Sequence, residues 1–276
     1  MLQFILFSIK WTPTNTMFKM GDFSVGWYGF LFAMGFFLAY VLMYHLFKKE
    51  GVPIKTLDWL TFWMFVAVLV GARLGHVFFY EWSYYKNHLS EIPMVWKGGL
   101  ASHGAGFAII LTMIFFIRAF KLDTLWLFDR LAIVIPVTAA FVRFGNLMNS
   151  EIYGIPTQLP WGFIYVHDPA SGMIPRHPTQ LYEAFSYLAI TLALYLVWRK
   201  QREKTRKGLL VGIFLVAMFV MRFLIEFVKT EQMPFEKGLP LDMGQWLSIP
   251  FILLGAFFIF WAYRPKRKPD ASAATK

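Results

Sequence analysis

Leu131-Ala-Ile-Val-Ile-Pro-Val-Thr-Ala-Ala-Phe-Val142 runs without a break into Arg143-Phe-Gly-Asn146-Leu-Met-Asn149-Ser-Glu151-Ile-Tyr-Gly154. The first part reads as a membrane helix. The second puts an arginine, two asparagines and a glutamate at its end. A charge in the hydrocarbon region costs roughly 3 kcal/mol on insertion scales, so such a residue is read first as functional. Four polar residues this close at one membrane depth point to a polar pocket cut into a hydrophobic protein.

The rest of the chain agrees with a membrane setting. Of 276 residues, 58% are hydrophobic and only 16% charged, against about 25% charged in soluble domains. Mean hydropathy is +0.52. One soluble core of this size cannot hide so much apolar surface, which predicts an all-α polytopic membrane protein. No cysteine is present. That excludes disulfides, thiolate metal sites and a cysteine nucleophile within the chain. Met1–Ile9 is apolar but too short to span and lacks a basic leader. With Lys10 and Trp11 after it, an interfacial segment is expected.

Seven stretches are long enough to cross, at about 20 residues each: 23–47, 57–82, 99–120, 124–146, 180–198, 208–229 and 243–263. The whole chain, 1–276, reads as a single transmembrane domain. Lysine and arginine bias sets orientation. With the N-terminus outside, the inner connections and tail carry sixteen basic residues and the outer segments seven, Lys229 among the latter. The net charge of +11 is thus a topology signal near anionic lipid, and no nucleic-acid partner is expected. Of the four arginines inside spans, Arg130 lies near an inner end and is expected to snorkel; Arg73, Arg143 and Arg222 lie deeper or nearer the outer side. Residues 147–179, rich in proline, are expected to form a small extracytoplasmic cap between the fourth and fifth helices, with a hairpin within 157–167. A structureless loop of that length is unusual unless functional.

Each candidate site has two readings. Arg143 and Asn146 are three apart and share a helix face; Glu151 follows, and Gly154 supplies a turn or close approach. A guanidinium fork matches phosphate, while a buried Arg143–Glu151 pair would merely lock helix to cap. Arg222 and Glu226, four apart, form either an ordinary intramembrane pair or, with Arg143, a two-arginine clamp. His103, among glycines at 98–106, is a packing residue or a general base. It has no second ligand at metal spacing. Gly71-Ala-Arg73-Leu-Gly75 reads as close helix packing. Tyr28 reads as a member of the interfacial aromatic belt. His177-Pro opens the fifth helix, with Gln180 and Glu183 on its first turns, serving the cap or facing the pocket.

Taken together these residues resemble the bacterial prolipoprotein diacylglyceryl transferases. The resemblance rests on Arg143-x-Gly-Asn146-x-x-Asn-x-Glu151-x-x-Gly154, Trp27-Tyr28-Gly29, Gly71-Ala-Arg73-Leu-Gly75, His103-Gly, His177-Pro-x-Gln-Leu-Tyr-Glu183, Arg222-Phe-x-x-Glu226-Phe and Gly244-Gln245-x-Leu-Ser-Ile-Pro250, in order along nearly the whole chain. Val142 and Leu147 stand where the family usually has glycine and phenylalanine. The resemblance implies a seven-helix enzyme of the bacterial inner (cytoplasmic) membrane. It would move the diacylglyceryl group of phosphatidylglycerol to the lipobox cysteine of a prolipoprotein signal peptide, leaving a thioether and glycerol 1-phosphate. It also implies roles. Arg143 and Arg222 bind phosphate, His103 accepts the thiol proton, Asn146 and Tyr28 orient oxygens, Glu151 and Glu226 aim the arginines, and Gly154 lets backbone approach; no metal or cofactor is implied. A transporter would use similar charges along a path, and a lipid-binding scaffold would bind phospholipid without product. The chain shows no inverted repeat, and its polar residues gather towards one side.

Overall fold

The computed structural model describes residues 8–21, 23–95, 99, 101–230 and 241–264. Residues 1–7, Lys97, Gly98, Leu100, Lys237 and the basic run from Lys266 to Lys276, all used in the sequence reading, lie outside the described residues. Among those described, seven apolar helices follow in order: α1 Trp27–Lys49, α2 Ile54–Phe79, α3 Ser102–Ala119, α4 Thr124–Met148, α5 Thr179–Gln201, α6 Leu209–Glu226 and α7 Met243–Tyr263. Six are long and apolar enough to cross a membrane, and α3 is a shorter apolar helix. The chain is thus an all-α multi-pass membrane protein, as its composition predicts. Exposed Phe, Trp, Leu and Ile side chains along these helices suit a hydrocarbon solvent, where they cost nothing.

Contacts divide the chain into two units, 1–41 with 128–276, and 42–127. In the second unit α2 packs along α3. The Gly71/Gly75 pair explains how. A Cβ on Gly104 would meet the Gly71 carbonyl oxygen and come within 2.7 Å of the Gly75 Cα, so the two backbones touch, as the glycine spacing predicts. Gly104→Val is therefore expected to cost about 2 kcal/mol or more, read as a lower melting temperature of the detergent-solubilised protein. Trp126, near the start of α4, donates its indole N–H to the Glu50 carboxylate at 2.7 Å and packs on Phe47.

In the first unit α6 packs along α5 and α7. Gly212 and Gly255 bring α6 and α7 together, each sitting where a Cβ would crowd the other helix's backbone. Asp129 on α4 accepts from the backbone N–H groups of Gly208, at 2.8 Å, and Val211, at 2.9 Å. It caps the exposed donors at the start of α6, which a helix cannot satisfy itself. Asp129→Ala leaves those donors unpaired in an apolar setting and is expected to destabilise by about 1–3 kcal/mol, measured in the same melt. Arg130 does not reach outward as expected: it is 1% exposed, and protein packing rather than a helix-end interface surrounds it.

The connection from α4 to α5 carries a short strand β4, Phe163–Tyr165, and a 3-10 turn Pro169–Ser171. The expected hairpin within 157–167 is not formed. β4 instead pairs in parallel with β1, Ile9–Trp11, and Phe163 exchanges both backbone hydrogen bonds with Arg176 at 2.9 Å. Pro156 and Pro160 cannot donate to a ladder, so the partner comes from further away. Ile9–Trp11 is a strand; the expected interfacial segment, Met1–Ile9, lies almost wholly outside the described residues. Trp11 stacks near Phe163, with ring centres 5.3 Å apart, and its indole donates to the Leu147 carbonyl at 2.9 Å. Strands β2, Thr16–Met20, and β3, Phe23–Gly26, form a second, antiparallel pair turned at Gly21, whose φ is 61°. The first span therefore begins at Trp27, not at 23.

Candidate functional site

The polar end of α4 is built by three elements of the first unit. Arg143 and Asn146 stand one helical turn apart, and the Arg143 guanidinium donates to Asn146 Oδ1 at 3.2 Å. Asn146 in turn donates to Glu151 Oε1 at 2.8 Å, and Asn149 to the same oxygen at 3.3 Å. Glu151 sits in a turn held in an uncommon backbone conformation. Ser150 and Ile152, on either side, have φ of 56° and 61°, left-handed values that a β-branched residue rarely adopts. Two groups on α5 fix the turn. Thr179 Oγ1 donates to the Ile152 carbonyl at 2.9 Å, and Gln180 Nε2 donates to the Glu151 carbonyl at 2.7 Å. Gln180 is itself held, accepting from the buried Tyr165 hydroxyl at 3.0 Å. Strain surrounded by this many contacts is a mark of a position fixed for use.

The direct carboxylate partner of Arg143 is not Glu151, as the sequence reading had it, but Glu183. Arg143 Nε lies 2.7 Å from Glu183 Oε2, and the Glu183 side chain is fully buried. Glu183 falls one turn beyond Thr179 and Gln180, so the start of α5 presents all three to the end of α4. Glu151 reaches Arg143 only through Asn146. Arg222 and Glu226 do not form the expected close pair either. Glu226 lies 3.7 Å from Lys229, whose Nζ also donates to Glu183 Oε1 at 3.3 Å. Arg222 is half-buried, one turn before Glu226 on α6. Tyr187, one turn beyond Glu183 on α5, is buried as well. Gly244, at the start of α7, makes room for Glu226: a Cβ there would come 2.6 Å from its carboxyl carbon.

Two signature glycines have structural explanations. A Cβ on Gly145 would come 2.8 Å from Tyr28 Cδ2, so the Tyr28 ring packs directly on α4 at Gly145. Gly154 pairs by backbone with Lys229 and donates to the His177 carbonyl at 2.8 Å. A Cβ there would strike the Val228 carbonyl oxygen. The close approach that Gly154 permits is thus to the end of α6.

Beyond the helices, the α4–α5 connection has its own polar scaffold. Tyr153 donates to Asp168 at 2.6 Å. Burial, then that hydrogen bond, pushes its hydroxyl up to about 12. Burial lowers the His177 imidazole below its ordinary value, so it stays neutral beside the Tyr182 hydroxyl, 3.1 Å away. Arg176 covers the Tyr153 ring.

In the second unit Arg73 is buried and bound by backbone, donating to the carbonyls of Ile92 and Glu91 at 2.8 Å each and lying over the Tyr85 ring. It thereby holds the chain at Glu91, Ile92 and Gly99. His103, exposed at the first turn of α3, has its Nδ1 3.4 Å from the Tyr80 hydroxyl. The Tyr80 ring stacks on both His103 and His76, and His76 meets Glu81 at 3.4 Å. Among the described residues no group of three or more histidine and acid side chains is arranged to hold a metal ion.

Lys229 is the site residue the sequence reading missed, having assigned it to an outer connection. The signal was the i, i+3 spacing of Glu226 and Lys229, which sets acid beside base where the helix ends.

A family model described as prolipoprotein diacylglyceryl transferase matches residues 15–261. The chain is 42% identical over 259 residues to a phosphatidylglycerol–prolipoprotein diacylglyceryl transferase of Tolumonas auensis, covering 94% of this chain and 99% of the relative. Proteins of the same description from Bacteroides fragilis, 37% identical over 95% of this chain and 98% of the relative, and Chloroherpeton thalassium, 42% identical over 91% and 93%, are also similar to it.

Proposed function

The chain belongs to the prolipoprotein diacylglyceryl transferase family, and on that basis we propose how it acts. It is a transferase that moves the diacylglyceryl group of phosphatidylglycerol to a prolipoprotein. The acceptor is the thiol of the lipobox cysteine in the signal peptide. The bond from the diacylglyceryl carbon to the phosphate oxygen breaks, a carbon–sulfur bond forms, and glycerol 1-phosphate leaves with the electron pair. The chain's own lack of cysteine is then no obstacle, because the partner brings the nucleophile.

The observation that carries this reading is Arg143 at the polar end of an apolar helix, set 2.7 Å from the buried Glu183 and donating to Asn146, with a second arginine, Arg222, half-buried on α6. Preorganised cations at a leaving phosphate lower the barrier most, because their charge is already in place when the oxygen's charge develops. Glu183 orients Arg143, Asn146 and Glu151 form the next ring of contacts, and Tyr28 lies against the same turn. Tyr28 and Asn146 orient oxygens of the headgroup, and Glu226 sets the charge beside Arg222. Gly154 contributes through the fold around Lys229. His103 takes the thiol proton, since the thiolate is the competent nucleophile. The chain sits in the bacterial inner (cytoplasmic) membrane with its N-terminus outside and C-terminus inside, the orientation that the basic residues favour. The 147–179 cap is then extracytoplasmic, and the lipid enters from the bilayer.

The test is mass spectrometry of a lipobox peptide incubated with the protein and phosphatidylglycerol. A gain of one diacylglyceryl group is expected. An unchanged peptide, with folded protein that binds phosphatidylglycerol, would favour a transporter or a lipid-binding scaffold instead.

A further inference from the structure

We infer that Lys229 is a positioning residue of the transferase, acting on Arg143 through Glu183. This rests on the reading above that Arg143 holds the lipid phosphate. Lys229 lies three residues past the end of α6, and its side chain is 3% exposed, so it does not itself touch a lipid. It bridges two carboxylates, with Nζ 3.3 Å from Glu183 Oε1 and 3.7 Å from Glu226 Oε2. Glu183 therefore spends one oxygen on each of two cations, Oε1 on Lys229 and Oε2 on Arg143 Nε.

That division has a geometric consequence. The last torsion of a glutamate is a broad, two-fold rotor. A carboxylate held by one cation can turn about it, whereas one held at both oxygens cannot. With its plane fixed, Glu183 holds its charge 2.7 Å from Arg143 Nε, and Asn146 holds a terminal nitrogen. Lys229 also stands between the Glu183 and Glu226 carboxylates, so that two buried acids do not share Arg143 as their one close cation. The lysine backbone is pinned in turn. Lys229 pairs with Gly154, and its N–H donates to the Glu226 carbonyl at 3.1 Å. Since a Cβ at Gly154 would strike the adjoining Val228 carbonyl, Gly154, Lys229, Glu183 and Arg143 form one line of contacts. It joins the α4–α5 connection to the phosphate site.

The test is steady-state transfer to a lipobox peptide from phosphatidylglycerol in mixed micelles, with melting temperature measured alongside. In Lys229→Met, kcat is expected to fall about 100-fold, the scale of a small misplacement of a reacting group, with KM for phosphatidylglycerol changed much less. Lys229→Arg is expected to restore most of the loss. Lys229→Met alone strands buried carboxylate charge and risks poor folding. Glu183→Gln with Lys229→Met does not add a second unpaired charge at Glu183, and it is expected to be no slower than Glu183→Gln alone, because both residues act through one contact. Wild-type kcat in folded Lys229→Met or in the double variant would overturn the inference, as would single losses that simply multiply. Arg143→Ala and wild type run in the same assay keep the failures apart. No transfer by wild type ends the transferase reading and this inference with it. Full transfer by Arg143→Ala ends the phosphate clamp. An inactive Arg143→Ala beside a fully active Lys229→Met ends this inference alone.

Discussion

Arg143→Ala is expected to reduce diacylglyceryl transfer by about 1,000-fold or more, the scale for losing one preorganised charge-stabilising donor at a transition state. Three observations make this the most sensitive position. Arg143 is held at two points, by Glu183 at 2.7 Å and Asn146 at 3.2 Å, so its fork is set before a substrate arrives. Its side chain is 16% exposed, enough to meet a headgroup and too little for water to screen it. Its partner Asn146 is fixed in turn, donating to Glu151 at 2.8 Å. The alanine also leaves the buried Glu183 with Lys229 as its remaining cation. Removing one member of a buried ion network costs about 3–5 kcal/mol, so rates are normalised to folded protein by melting curves. Arg143→Lys separates charge from shape. It keeps the cation and loses the planar fork with its Nε edge, and is expected to remain at least about 10-fold slow. Measured by peptide mass gain, near-normal turnover in Arg143→Ala would remove the phosphate clamp from the mechanism.

The helices were legible because hydrophobic length is a local property. A run of apolar residues bounded by Lys48 and Lys49, or by the basic 199–207 segment, declares itself without knowledge of its neighbours. The Gly71/Gly75 contact was equally readable, since small residues four apart have few other uses in a membrane helix. What the sequence hid is pairing at a distance. Arg143 has Glu151 eight residues away and Glu183 forty residues away, and only the docking of α5 on α4 makes the second the partner. The parallel pairing of Ile9–Trp11 with Phe163–Tyr165 spans more than 150 residues and leaves no local trace beyond two short apolar segments. Lys229 was misread for a different reason. Counting basic residues by loop treats each lysine as solvated, and this one is buried between two acids. Tyr28 and Gly145 show the limit from the other side. Each looked ordinary alone, as a belt tyrosine and a motif glycine, and the contact between them is what seats the ring on α4.

His103→Gln is expected to lower transfer by about 100- to 10,000-fold, the usual range for a general base. The hydrogen bond to Tyr80 states what the role demands. A neutral imidazole has one N–H and one lone pair. If the Tyr80 hydroxyl donated to Nδ1, the proton would sit on Nε2 and that nitrogen could not accept another. Base catalysis therefore requires Nδ1–H to donate to the Tyr80 oxygen, 3.4 Å away, leaving the Nε2 lone pair for the thiol. The Tyr80 ring, stacked with both His76 and His103, holds the imidazole plane in that orientation, and Gly99, with φ of 69°, packs against His76 and Arg73. Glutamine keeps the size and a hydrogen-bonding amide but cannot accept a proton at working pH. The decisive readout is pH. A free cysteine ionises near about pH 8.5, so solution supplies thiolate without a base as pH rises through that range. The deficit of His103→Gln relative to wild type should then shrink steadily between about pH 7 and 9.5. Tyr80→Phe, which removes only the orienting oxygen, should show a smaller deficit of the same shape. A His103→Gln deficit that stays constant across that range would assign the histidine to holding a headgroup, and undiminished activity would remove it from the reaction altogether.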